Sequence, residues 1–284
     1  MNIDSHLHFW RYSAAEYGWI DGSMARLQRD FLPEDAAPEM RAAGMDACIA
    51  VQARQTLEET RWLLTLADAH SFIAGVVGWV DLRSAHLDAE LDSIAAHPKL
   101  VGLRHIVQAE PDDFLSGEAF RRGVAHLARR GLPYDILVYA RQLAAAIDFA
   151  AALPEARLVL DHLGKPDIRA GGFDGWRGDL DRLAALPNVC AKLSGLVTEA
   201  DWNRWTIEDL HRYINAALDS FGPERLMIGS DWPVCTVAGG YGEVLDVVRT
   251  AISGRPQAER DAVLGNTARR FWNLSDVSSM ERNV

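Results

Sequence analysis

Two histidines stand two residues apart near the N-terminus, in Asp4-Ser5-His6-Leu7-His8. Side chains two apart on a strand point the same way, so both imidazoles and Asp4 are expected on one face. Such a pair can chelate a divalent cation or orient a water and a carbonyl. Two polar residues closing a strand end is the plainer alternative. Asp231, in Gly229-Ser230-Asp231-Trp232-Pro233, follows an apolar run. Beside imidazoles or a metal, its carboxylate can take a proton from water as a general base. An isolated aspartate there would instead cap a helix or shape a turn. His162, in Asp161-His162-Leu163-Gly164-Lys165-Pro166, ends another apolar run and offers a third imidazole. Asp161, of opposite strand parity, is expected to face outward or anchor a loop.

Two cations are embedded in apolar runs: Arg104 in Gly102-Leu103-Arg104-His105 and Lys192 in Ala191-Lys192-Leu193-Ser194-Gly195. Buried cations are costly unless paired. Either they form salt bridges inside the fold, with Asp135, Asp81 or Asp161, or they donate to a substrate oxygen or developing oxyanion. Gln52, Arg54, Tyr139 and Trp232 are further candidates for substrate contact. Trp10, Tyr12, Tyr17 and Trp19, with Trp202 and Trp205, suit either a flat ligand or the anchoring of loops.

These residues share a position in the sequence rhythm. Eight short apolar runs, over 2–9, 46–53, 72–80, 100–107, 133–139, 156–163, 188–193 and 226–229, alternate with amphipathic helical patterns. Several runs are continuous rather than alternating, as strands buried on both faces are. Eight strand–helix units in this length predict a single-domain (β/α)8 barrel over residues 1–284, ahead of an open doubly wound sheet, whose glycine-rich first turn is missing. Each run ends in a polar side chain: His6 and His8, Gln52 and Arg54, Asp81, Arg104 and His105, Tyr139, His162, Lys192 and Asp231. Catalytic groups of such barrels sit at the carboxyl ends of the strands. In a closed barrel the first and eighth strands are neighbours, which would bring Asp231 to His6 and His8. Residues 11–31 and 171–178 read as loops over the mouth, and 257–274 as a closing helix.

Composition narrows the function classes. The 284 residues are 49% hydrophobic and carry a formal charge of -11, so phosphate backbones and anionic membranes are disfavoured partners. Three separated cysteines without CxxC spacing read as thiols of a reducing compartment. The N-terminus shows no signal-peptide pattern, and no apolar run approaches the roughly 20 residues of a spanning helix. A cytoplasmic enzyme acting on a small molecule is expected, with neither nucleic acid nor membrane as partner.

The motifs around His6 and His8, Arg104, His162, Lys192 and Asp231, together with Gly265-Asn266-Thr267-Ala268-Arg269-Arg270-Phe271, resemble the amidohydrolase superfamily in collinear order over nearly the whole chain. The nearer likeness is to its branch of sugar lactonases, which open L-fucono- and L-rhamnono-lactones and related dicarboxylate lactones. The resemblance implies a lactone hydrolase with His6, His8, His162 and Asp231 in the site. The bridging lysine or glutamate of binuclear members has no counterpart on the middle strands, which argues against two metals. What remains is a single Zn²⁺ or similar divalent ion on some of those four residues, or a site that works without one. The alternatives are a mononuclear zinc decarboxylase of an aromatic or unsaturated acid, and a sugar-acid-binding protein on an inactive barrel.

Overall fold

Each of the eight apolar runs contains a strand: β1 (Ile3–Leu7), β2 (Ala47–Val51), β3 (Ile73–Gly78), β4 (Leu100–His105), β5 (Tyr134–Ile136), β6 (Leu158–Leu160), β7 (Val189–Leu193) and β8 (Leu226–Ile228). In the structure, a computed structural model that describes residues 1–274, they pair in parallel in chain order. The end of the domain expected over 1–284 lies outside the described residues. Closure follows where the end of β1 meets the chain just past β8. There the His8 N–H donates to the Trp232 carbonyl (2.7 Å) and the Asp231 N–H to the His6 carbonyl (2.8 Å). The fold is therefore the expected single-domain (β/α)8 barrel.

The outer layer comprises α1 (Pro33–Ala42), α2 (Leu57–Ala69), α3 (Leu87–Asp92), α4 (Glu118–Arg129), α5 (Leu143–Ala151), α6 (Asp174–Ala184), α7 (Leu196–Glu199), α8 (Ile207–Phe221) and α9 (Tyr241–Ile252). Their burial follows helical spacing. In α4 the buried residues are Phe120, Gly123, Val124 and Leu127, one stripe turned to the barrel. Thr206 and Asp209 cap the start of α8 reciprocally. The expected loop over 171–178 is only partly a loop, because α6 begins at Asp174 and buries Trp176.

The expected closing helix is broken. It runs as α10 (Gln257–Asp261), a wide turn over Ala262–Asn266, and α11 (Thr267–Phe271). Gly265 packs so closely on the chain start that a Cβ there would lie 2.1 Å from the Met1 carbonyl oxygen. The backbone widens to let the N-terminus in.

The barrel interior is layered. Ile3, Ala47, Ile49, Val51, Val77, Val101, Val159 and Met227 form an apolar floor, sealed by Phe271, Trp272 and Leu274. Above it lies an ionic layer. Lys192 Nζ contacts Asp135 Oδ2 (2.5 Å) and Asp161 Oδ1 (2.9 Å), and Arg104 Nη1 donates to Asp161 Oδ2 (2.9 Å). Arg104 also donates to the Gln52 carbonyl and to Gln52 Oε1. Asp161 therefore faces inward, against expectation. It shares the parity of Val159, which belongs to the floor. Asp4 departs the other way: the β1–β2 register shifts between Asp4 and Leu7, and Asp4 accepts from Ser230 and from the Tyr241 hydroxyl at the start of α9. The two imidazoles thus share a face without Asp4.

The loop over 11–31 is stitched to the barrel at two places. Trp10 and Phe31 exchange backbone hydrogen bonds, and Trp10, Tyr17, Trp19 and Phe31 pack together. Glu59 of α2, fully buried, accepts the Ala53 and Arg54 N–H groups (3.0 and 2.7 Å) and the Tyr17 hydroxyl (3.3 Å), while Arg54 pairs with Glu16.

Two predictions follow from these buried charges. Burial raises the Glu59 carboxyl from 4.5 to about 7. The folded chain then holds this proton more tightly than the unfolded one. The resulting stabilisation is full below about pH 4.5 and lost as pH rises through about 7, amounting to about 1–3 kcal/mol. Thermal melts from pH 5 to 8 should therefore decline less for Glu59→Gln than for the wild type; parallel profiles would refute a protonated Glu59. Lys192→Met leaves buried carboxylates uncompensated, so denaturant unfolding should show a loss of about 3–5 kcal/mol. Adding Asp135→Asn should restore part of that loss, and a double variant less stable than the single would contradict the pairing.

Candidate active site

Above the ionic layer, at the carboxyl ends of the strands, His6, His8, His162 and Asp231 come together as the sequence predicted. All four are buried. Asp231 Oδ1 lies 3.3 Å from His8 Nε2, 3.8 Å from His6 Nε2 and 3.9 Å from His162 Nε2. The rings of His6 and His162 are 4.4 Å apart, those of His6 and His8 4.8 Å. Each imidazole is held from behind. His8 Nδ1 faces the Val51 carbonyl (2.8 Å), His162 Nδ1 faces Ser194 Oγ (2.9 Å), and His6 Nδ1 faces Asp161 Oδ1 (3.4 Å) and Lys192 Nζ (3.2 Å).

Two of these residues sit on left-handed backbone. Asp231 has φ 58°, and His162, Leu163, Gly164 and Lys165 form a left-handed turn with φ between 50° and 69°. For residues other than glycine this costs about 1–2 kcal/mol each. The Trp176 indole N–H holds the Leu163 carbonyl (2.7 Å), and fully buried Leu163 fixes the middle of the turn. The turn is what brings His162 inward directly after inward-facing Asp161. Gly195 meets both groups: a Cβ there would lie 2.5 Å from His162 Nδ1 and 3.1 Å from Asp231 Oδ2.

The electrostatics suit a base among neutral imidazoles. Burial pushes His162 down to about 4, against the pull of Asp231 and Asp161, and pushes His6 well below its ordinary value. Burial would raise the Asp231 carboxyl, but His162, His8 and His6 outweigh it and hold the group below the usual carboxylate range. At neutral pH the site presents an ionised carboxylate beside uncharged His6 and His162 rings.

The same donor set fits a divalent cation. A carbonyl only accepts, so His8 Nδ1 carries the proton towards Val51 and Nε2 presents a lone pair. His6 can likewise give its Nδ1 proton to Asp161, leaving Nε2 bare, 3.1 Å from His8 Nε2. Two lone pairs and a carboxylate oxygen then converge, an arrangement that calls for a positive charge among them. His6, His8 and Asp231 have the N/O character zinc takes, and His6, Asp161 and His162 form a second, overlapping group. Arg104 Nη1, 3.2 Å from His6 Nε2, supplies part of that charge.

The remaining sequence candidates are distributed differently. Arg104 and Lys192 are buried within the ionic layer, so the salt-bridge alternative accounts for their contacts. Gln52, also buried, supports Arg104. Arg54 is drawn aside by Glu16 and Glu59. Trp232 packs against Phe9 and Phe31 and anchors the Asp231 turn. Asp81 lies past β3 beside Arg83, and His105 turns outward to Trp79 and Glu110. Trp202 and Trp205 anchor loops by donating to the Thr198 and Ala238 carbonyls. Tyr139, three residues beyond β5, stands at the mouth next to Lys165, a residue that sequence reasoning had left without a role.

The family model described as amidohydrolase matches residues 3–274. An L-fucono-1,5-lactonase of Burkholderia multivorans is 47% identical, the match covering 97% of each chain. A second L-fucono-1,5-lactonase, from Burkholderia ambifaria, is 39% identical over 85% of this chain and 83% of its own. A solved amidohydrolase from Burkholderia multivorans with bound zinc superposes with a TM-score of 0.94 at 46% identity, covering 97% of this chain and all of that one. The chain belongs to the amidohydrolase family.

Proposed function

We propose that this protein hydrolyses a sugar lactone, an L-fucono-lactone or related aldonolactone, to the open hydroxy acid, as a step of carbohydrate breakdown. The observation that carries the reading is Asp231, ionised and flanked by three imidazoles at the barrel mouth. Asp231 takes a proton from a water, and the oxygen of that water adds to the lactone carbonyl carbon. The C–O bond of the ring then breaks, the ring oxygen takes the proton back from Asp231, and the new carboxylic acid releases its own proton to solvent. His162, oriented by Ser194, and His6, braced by Asp161, hold the carbonyl and the water against the base. A divalent ion such as Zn²⁺ would be held by His6, His8 and Asp231, with His162 alongside; bound there, it would polarise the carbonyl and acidify water.

The charge pattern favours a neutral substrate over an acid. Arg104 is matched by Asp161, Lys192 by Asp135 and Asp161, and Lys165 by Glu199. The charge of each is thus already matched by a carboxylate, which leaves no unpaired positive charge among the three for an acid, as the decarboxylase alternative would want. The free cysteines, Cys48, Cys190 and Cys235, accord with the cytoplasm. Among the described residues no helix is long and apolar enough to cross a membrane.

A panel of 1,4- and 1,5-sugar lactones in a pH-indicator assay tests the activity. Acid release should track lactone loss, and CO₂ evolution would point instead to decarboxylation. Asp231→Asn should lower turnover by about 10²–10⁴-fold while the fold survives, since a general base contributes that much; near wild-type rates would remove Asp231 from the chemistry. Chelator treatment with metal analysis should strip one ion per chain and lower the rate, with zinc restoring it. Unchanged rates in metal-free protein would leave hydrolysis standing on the side chains alone.

A further inference from the structure

Behind β5, β6 and β7 the chain brings three side chains to one part of the mouth. Lys165 Nζ lies 3.1 Å from Glu199 Oε1 and 5.3 Å from the centre of the Tyr139 ring. This pair differs from the deeper ones. Lys192 is wholly buried and surrounded by Asp135, Asp161 and His6. Lys165 has a single acceptor, Glu199, so two of its N–H groups lack one among the described residues. Glu199 Oε2 likewise has no donor there; only Oε1 is engaged, by Lys165 and the Thr198 hydroxyl. Both side chains keep a small opening to solvent, 14% and 17%.

The placement is built. The left-handed turn that delivers His162 ends on Lys165, whose N–H donates back to the His162 carbonyl (2.9 Å). Arg169 N–H ties the following loop to the Glu199 carbonyl (3.0 Å). The turn that carries His162 therefore also sets the position of Lys165. A donor and an acceptor side by side, the donor next to an aromatic ring that the Arg141 guanidinium also approaches (4.8 Å), match neighbouring ring hydroxyls: one hydroxyl accepts and the next donates.

We propose that Lys165, Glu199 and Tyr139 form the subsite that reads the hydroxyls of a polyhydroxylated lactone, with Lys165 donating to one hydroxyl and Glu199 accepting from its neighbour. The proposal rests on the hydrolase reading above and adds the feature that separates sugar lactones from plain ones. A site built to hydrogen-bond a substrate hydroxyl discriminates strongly against the analogue lacking it.

The test compares an L-fucono-lactone with δ-valerolactone, which has the ester ring without hydroxyls. Lys165→Met and Glu199→Gln should each lower kcat/KM on the sugar lactone by roughly 10–100-fold, the scale of one hydrogen bond to a charged group. The loss on δ-valerolactone should be far smaller, within about threefold. Equal losses on both lactones, or no loss on either, would overturn the proposal. Titration with L-fucose, which carries ring hydroxyls but no ester, gives an independent readout. The wild type should bind it at least about tenfold more tightly than Lys165→Met; equal binding, or none by either protein, would also overturn the subsite. A wild type inert to every lactone would instead sink the hydrolase reading, while the L-fucose titration still judges the subsite.

Discussion

The site depends on a neutral cluster of four charges locked inside a barrel. Arg104 and Lys192 face Asp135 and Asp161 with almost no access to water, and the layer separates an apolar floor from the reactive mouth. Taking such groups out of water is expensive, and the attraction between them repays it only when each has partners on several sides. Asp161 meets that condition by facing both cations and His6 at once. The arrangement bears on His6 directly: its position and proton follow from which carboxylate and which ammonium stand beneath it. The burden shows in the carboxyl groups. Burial outweighs Lys192 at Asp135 and raises it to about 6, whereas at Asp161 the surrounding cations outweigh burial and keep it ionised.

Above that layer, precision comes from backbone rather than from charge. His162 and Asp231 lie two and three residues past the ends of β6 and β8, where a continued β geometry would have alternated them with their neighbours. Left-handed φ values redirect them. Such turns cost conformational energy and persist because the surroundings over-determine them. Trp176 grips the carbonyl of Leu163, Trp232 packs between Phe9 and Phe31, and Gly195 leaves room that no side chain could share. The strain is therefore distributed into helix α6, the loop over 11–31 and the turn at Gly195 after β7. A change in any of them reaches His162 and Asp231 through one or two contacts.

Much of this was legible from residue types. Eight apolar runs located every strand, because strands buried on both faces cannot avoid being apolar, and polar residues at their ends marked the mouth. What could not be read was orientation. Asp161 was assigned outward by alternation from His162, but the alternation breaks between them, so the reference residue was the wrong one. Asp4 failed for a similar reason, a register shift within β1. Asp81 and Arg54 looked equivalent to the true strand ends because sequence cannot tell the last inward residue from the first residue of a loop. Lys165 carried no signal of its own; only the left-handed turn and Glu199, far away in sequence, give it a direction.

The committed charges also bear on what leaves the site. On the proposed reaction a neutral ring enters and an anion forms. Arg104, Lys192 and Lys165 each already have a carboxylate partner, and Asp231 returns to its ionised state as the reaction ends. The new carboxylate then faces Asp231 with no unmatched cation among Arg104, Lys192 and Lys165 to hold it, inside a chain whose formal charge is -11. Like charges in a poorly solvated pocket repel strongly. A mouth that binds hydroxyls through a Lys–Glu pair, rather than carboxylates through a free arginine, keeps its affinity on the part of the ligand that reaction does not charge. Ring opening itself supplies the push towards release.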